Sequence, residues 1–110
     1  MAISPSNKTL INTLDADPGL TIKASRGILT GWALLNAAAA VTWIQVFDAA
    51  AVADVTLGTT APIMAIPLVA SGETHAVGAE ISFTTGITMF ATTTLTGNTG
   101  AAVNGSVFWY

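Results

Sequence analysis

The sequence predicts an all-β fold, a jelly-roll-like antiparallel β-sandwich of about eight strands. Apolar and polar residues alternate with period 2 in short runs, which is the signature of strands with a buried face. Gly, Pro, Asn and Asp punctuate those runs at the intervals that successive strands of a sandwich or barrel require. No stripe of period 3.6 reaches useful length outside the alanine runs.

Residues 9–14 read as a weak first strand, stopped by the turn cluster Asp15-Ala16-Asp17-Pro18-Gly19. Residues 1–19 therefore form an N-terminal arm with that first strand, and residues 20–110 the sandwich domain. In 20–24, Leu20, Ile22 and Ala24 alternate with Thr21 and Lys23 before Ser25-Arg26-Gly27 turns the chain. Residues 28–35 and 41–48 are the clearest strands, joined by Asn36 and the alanines 37–40. A helix starting at Ala37 competes on propensity, but the β-branched and aromatic content of 41–47 favours a strand. Both faces of that strand are apolar, which calls for a packed sheet on one side and a neighbouring subunit on the other. Residues 49–53 suit one helical turn or an irregular loop.

Residues 63–69 form the next strand, where Pro67 has no N–H to donate and must sit at an edge or a bulge. Two short strands, 74–77 and 80–83, precede a turn at Thr84-Thr85-Gly86, where Gly86 marks a bend or a positive φ. A threonine-rich strand follows over 87–95, then a loop over 96–100. The last strand, 103–110, carries Phe108-Trp109-Tyr110 and is expected to pair within a sheet.

A chain of 110 residues suits one hydrophobic core. Only 8% of its residues are charged while 52% are hydrophobic, a sparse surface for a protein that stays apart from partners. An assembly component is expected, as a homo-oligomer and specifically a homotrimer, because two-sided apolar strands such as 41–47 need more cover than one small sandwich provides. The net charge is −3, and Lys8, Lys23 and Arg26 form no basic stripe, so nucleic acid is not an expected partner. The absence of cysteine excludes disulfides and thiolate metal sites. The segment MAISPSNKTL has no basic region feeding an apolar run, so no secretory signal is expected. Residues 27–47 carry no charge over the length of a membrane span, but they are rich in Ala, Gly and Thr and interrupted by Asn36 and Gln45. No membrane association is expected.

His75 is the one histidine, and no nucleophile motif, phosphate-binding loop or carboxylate pair of recognisable spacing accompanies it. No enzyme activity, catalytic residue or cofactor is expected. Asp15 and Asp17 offer too few oxygens for calcium and are accounted for by the turn, so no metal is expected. Trp32, Trp43 and Trp109 suit a core or a subunit interface, and a flat platform for sugars is the competing use. Lys8 lies in the polar arm, from which it could reach a partner. Lys8, Trp32, Trp43 and Trp109 are the candidate partner-binding residues.

From Ile22 onward an ordered set of short segments resembles a family of small virion proteins of tailed bacteriophages. It opens with Lys23-Ala24-Ser25-Arg26-Gly27 and continues through Gly31, Asn36-Ala37-Ala38, Val46-Phe47-Asp48, Gly58-Thr59 and Pro62. Ile66-Pro67-Leu68, Gly72, the run Ile81-Ser82-Phe83-Thr84-Thr85-Gly86-Ile87, Ala91-Thr92-Thr93 and the aromatic strand ending at Tyr110 complete it. Their order and spacing carry the resemblance. Arg26 departs from it where a proline is common, and the 96–105 loop is shorter and less acidic than expected. The resemblance implies a capsid decoration, or cement, protein on the virion surface, often trimeric, with itself and the major capsid protein as partners. The alternative is a tail, baseplate or fibre component that binds a host-surface glycan through its tryptophans.

Overall fold

A computed structural model of the protein describes residues 7–110. Eight strands follow in order: β1 (Asn7–Leu14), β2 (Leu20–Lys23), β3 (Gly27–Asn36), β4 (Thr42–Asp48), β5 (Met64–Leu68), β6 (Gly72–Phe83), β7 (Ile87–Thr92) and β8 (Val103–Trp109). One 3-10 turn, Val52–Asp54, interrupts the β4–β5 connection. Sheet 1 has the order β1-β8-β3-β6 and sheet 2 the order β2-β7-β4-β5. All pairs are antiparallel, and β1 pairs β8, β2 pairs β7, β3 pairs β6 and β4 pairs β5. This is the pairing of one long hairpin rolled into two layers, which defines a jelly roll.

The period-2 pattern places the core between the layers. Leu29, Trp32 and Leu34 of β3 and Val103 and Val107 of β8 point inward from sheet 1. Ile44 and Val46 of β4, Ile66 and Leu68 of β5, and Ile87 and Met89 of β7 meet them from sheet 2. Burial of these side chains, at about 25 cal/mol per Å² of apolar area, is the main force holding the layers together.

Pro67 lies on β5, an edge strand of sheet 2, opposite Trp43. The charge-free stretch 27–47 forms β3 and β4, and among the described residues no helix is long and apolar enough to cross a membrane. The alanine run after β3 is a bend held by Asn36, which is fully buried. Asn36 Nδ2 donates to Ala40 O (2.9 Å) and Val69 O (3.1 Å), and its Oδ1 accepts from Ala38 N (3.0 Å) and Thr42 Oγ1 (3.1 Å). That amide satisfies the backbone locally and removes the need for a helix.

The two short strands expected before Phe83 are one, β6. Leu29 pairs with Ile81 and Gly31 with Val77, so the register shifts and β6 carries extra residues between those two pairs. Gly78, at φ +73°, supplies the left-handed backbone of this bulge, and the strand resumes beyond it. Gly86 has no positive φ; it is required by close approach, since a Cβ there would stand 2.5 Å from Ala49 O and 2.7 Å from Lys23 O. Lys8 belongs to β1, paired with Phe108, and not to a free arm; the alternation that defines the first strand extends back to Asn7. The rest of the expected arm, residues 1–6, lies outside the described residues.

Candidate interaction surface

Each sheet has an outer face, and the two differ in what covers them. On sheet 2, Trp43, Gln45 and Phe47 of β4 and Thr88, Phe90 and Thr92 of β7 point away from the core. Phe47 and Phe90 meet edge to face at 5.6 Å between ring centroids, a favoured aromatic geometry. Val52, Val55 and Leu57, from the connection between β4 and β5, pack over this pair. Thr88 Oγ1 donates to Ala49 O (2.8 Å), which fixes the start of that connection to the face. The loop after β7 covers the other end, where Gln45 Nε2 donates to Thr92 Oγ1 (2.9 Å) and Gly97 O (3.0 Å). Over Phe47 and Gln45, the second cover that the apolar faces of β4 demand thus comes from the chain itself.

Among the described residues, sheet 1 has no such cover. Its outer face is laid out by register in level rows, because directly paired residues share a face. One row is Lys8, Phe108, Gly31, Val77; the next is Leu10, Ser106, Ala33, His75. Val77 is 85% exposed and Leu10 75% exposed, with Leu35 also in solvent on the same face. Two shallow depressions, of about 300 and 210 Å³, lie among these side chains. The first is lined by Val77, Gly78, Glu80 and Phe108, the second by Ala33, Leu35, Glu73 and His75.

The four candidate residues do not gather. Lys8 is exposed at the β1 edge of this face. Trp32 is 9% exposed and belongs to the core, with its Nε1 lacking a hydrogen-bond partner among the described residues. Trp43 is half-buried on the opposite side of the sandwich, between Pro67 and Thr92. Trp109 is half-buried at the end of the core, donating from Nε1 to Thr9 Oγ1 (2.8 Å) beneath the Lys23 ammonium, 5.4 Å from its ring. The tryptophans therefore make no common platform. Leu10, Val77, Phe108 and Glu80 were not legible as a group, because the only sequence signal was an apolar residue on the polar side of a strand.

The titratable groups take structural positions. His75 Nε2 lies 3.2 Å from Glu73 Oε2, both exposed. Asp15 Oδ1 accepts from the N–H of Ala16 (2.6 Å), and among the described residues no three His, Asp or Glu side chains group for a metal. Asp48, at the end of β4, accepts from the N–H groups of Thr85 (2.8 Å), Gly86 (3.2 Å) and Thr84 (3.2 Å) and from Thr84 Oγ1 (2.8 Å). The Thr85 N–H is the largest influence in holding this carboxylate below its usual pKa, partly opposed by desolvation. Asp48 thereby clamps the corner where the chain crosses from β6 in sheet 1 to β7 in sheet 2. No protein-family model, curated protein or solved structure matches this chain.

Proposed function

We propose that this chain is a structural subunit of a tailed-phage virion, a decoration or cement protein that stabilises the capsid shell by adding contact area across joints between capsomers. The observation that carries the assembly part of this reading is the uncovered apolar outer face of sheet 1, with Val77 and Leu10 standing in solvent. Apolar area of this kind on a charge-poor chain is stabilised by contact with another surface. The virion setting comes from the ordered segments between Lys23 and Tyr110 that resemble small phage proteins. Jelly rolls are widely used in capsids and in lectins, so the fold is compatible with the setting without selecting it. An oligomer docking at several shell sites at once converts weak contacts into avidity, and the mechanism is mechanical.

The test is reconstitution. Purified protein added to expanded shells that lack it should bind in fixed stoichiometry and raise their resistance to heat. A protein that leaves shells unaltered, or that cryo-electron microscopy finds at the tail, contradicts the assignment.

A further inference from the structure

We infer that the outer face of sheet 1 is a self-association surface, on which a second copy of this chain seats about a two-fold axis parallel to the strands. This rests on the assembly part of the function proposed above and not on its virion setting.

An isologous interface must be complementary to itself, and this face is. A two-fold axis along the strands, between β8 and β3, lays β1 of one copy against β6 of the other and β8 against β3, with the rows kept level. In the row Lys8, Phe108, Gly31, Val77, the Phe108 ring then meets the second copy's Gly31, a large side chain over a missing one. In the row Leu10, Ser106, Ala33, His75, the small pair Ser106 and Ala33 meet at the axis and let the backbones approach. Leu10 reaches the second copy's His75, and the Lys8 stem reaches the exposed Val77.

Charge follows the same rotation. Lys8 stands at the β1 edge of the face, while Glu73 and Glu80 lie on β6 at the opposite edge. Glu80 lines the same depression as Val77 and Phe108, so the rotation brings the Lys8 ammonium to a carboxylate in each half of the pair. Opposite charges at the two edges select this orientation over one that superposes like edges.

The size of the face sets the strength. Four strands spaced about 4.8 Å and about seven residues long at about 3.3 Å each give a footprint of roughly 450 Å² per copy, or about 900 Å² for both. That is just under the roughly 1,000 Å² that marks a specific interface, so the pair is weak and reversible. A two-fold pair, and not the trimer that the resemblance implies, is what this face favours.

Sedimentation velocity from 1 to 500 µM at low salt tests this on the full chain, with thermal melts confirming that each variant folds. The wild type should shift from monomer to dimer with rising concentration. Val77→Lys, which sets a second ammonium against Lys8 of the other copy, should weaken the dimer at least tenfold, and so should Lys8→Glu or Glu80→Lys alone. The double variant Lys8→Glu/Glu80→Lys should recover most of the loss, because the two-fold axis pairs the swapped charges again. A wild type that stays monomeric at 500 µM, an oligomer indifferent to Val77→Lys, or a double variant no tighter than the singles overturns the inference. Shell binding by a protein that stays monomeric would overturn this interface while leaving the decoration assignment standing.

Discussion

Outside sheet 2, Phe47 and Phe90 lie beneath a connection of their own chain; outside sheet 1, Leu10 and Val77 lie beneath water. Both faces carry apolar side chains, and that of sheet 1 adds Lys8, Glu73 and Glu80 toward its edges. Connection length decides which face is covered: the stretch between β4 and β5 and the loop after β7 are long enough to fold back over sheet 2, and each is held by a polar bond from a buried side chain, Thr88 and Gln45. The apolar pattern of a strand therefore reports that a face will be covered, but not whether the chain or a partner will cover it.

The comparison can be broken hardest at Phe47. Truncation in Phe47→Ala should cost about 3–5 kcal/mol, as for a buried aromatic side chain, and should release the connection that packs on it. Chemical denaturation gives the loss, and proteolysis within 49–60 reports the release. Next is Gly86→Val, whose added side chain meets the backbone of Ala49 and Lys23. Crowding of that kind costs about 1–3 kcal/mol and should appear as a lower melting temperature.

The Asp48 clamp comes third. Its carboxylate has a folded pKa below the ordinary value, so its contribution is complete above about pH 4 and is lost as pH falls through the folded pKa. Asp48→Asn should lower stability at pH 7 by about 0.5–1.5 kcal/mol. It should also flatten the fall in melting temperature between about pH 5 and pH 3, the range in which an ordinary carboxylate takes up its proton. The smallest effect is expected on the uncovered side, where Leu10→Ser should change the stability of the dilute protein by no more than about 0.5 kcal/mol.

Much of the fold was legible because burial enforces period 2. The strands 28–35 and 41–48 correspond to β3 and β4 within a residue or two at each end, and Pro67 lies at an edge as its missing N–H requires. The join of two short strands into β6 was not legible, because Gly78 in a bulge and glycine in a turn look alike in sequence. The candidate surface was less legible still. Trp32 and Val77 are both apolar residues of sheet 1 strands, and only the register places one in the core and the other in solvent. Asn36 was visible as a turn residue, while its role as a buried staple depends on the end of β5, far along the chain.

The most direct measurement of the contrast between the faces is thiol labelling, which the absence of native cysteine makes clean. Val77→Cys places a thiol on the outer face of sheet 1, and Thr88→Cys places one beneath the cover of sheet 2. Labelling of the Val77→Cys variant should be fast in dilute protein and should slow as concentration rises into the range of self-association. Thr88→Cys should resist labelling at every concentration. A Thr88→Cys thiol that reacts as fast as that of Val77→Cys in dilute protein, or a Val77→Cys rate that does not change with concentration, would contradict the account.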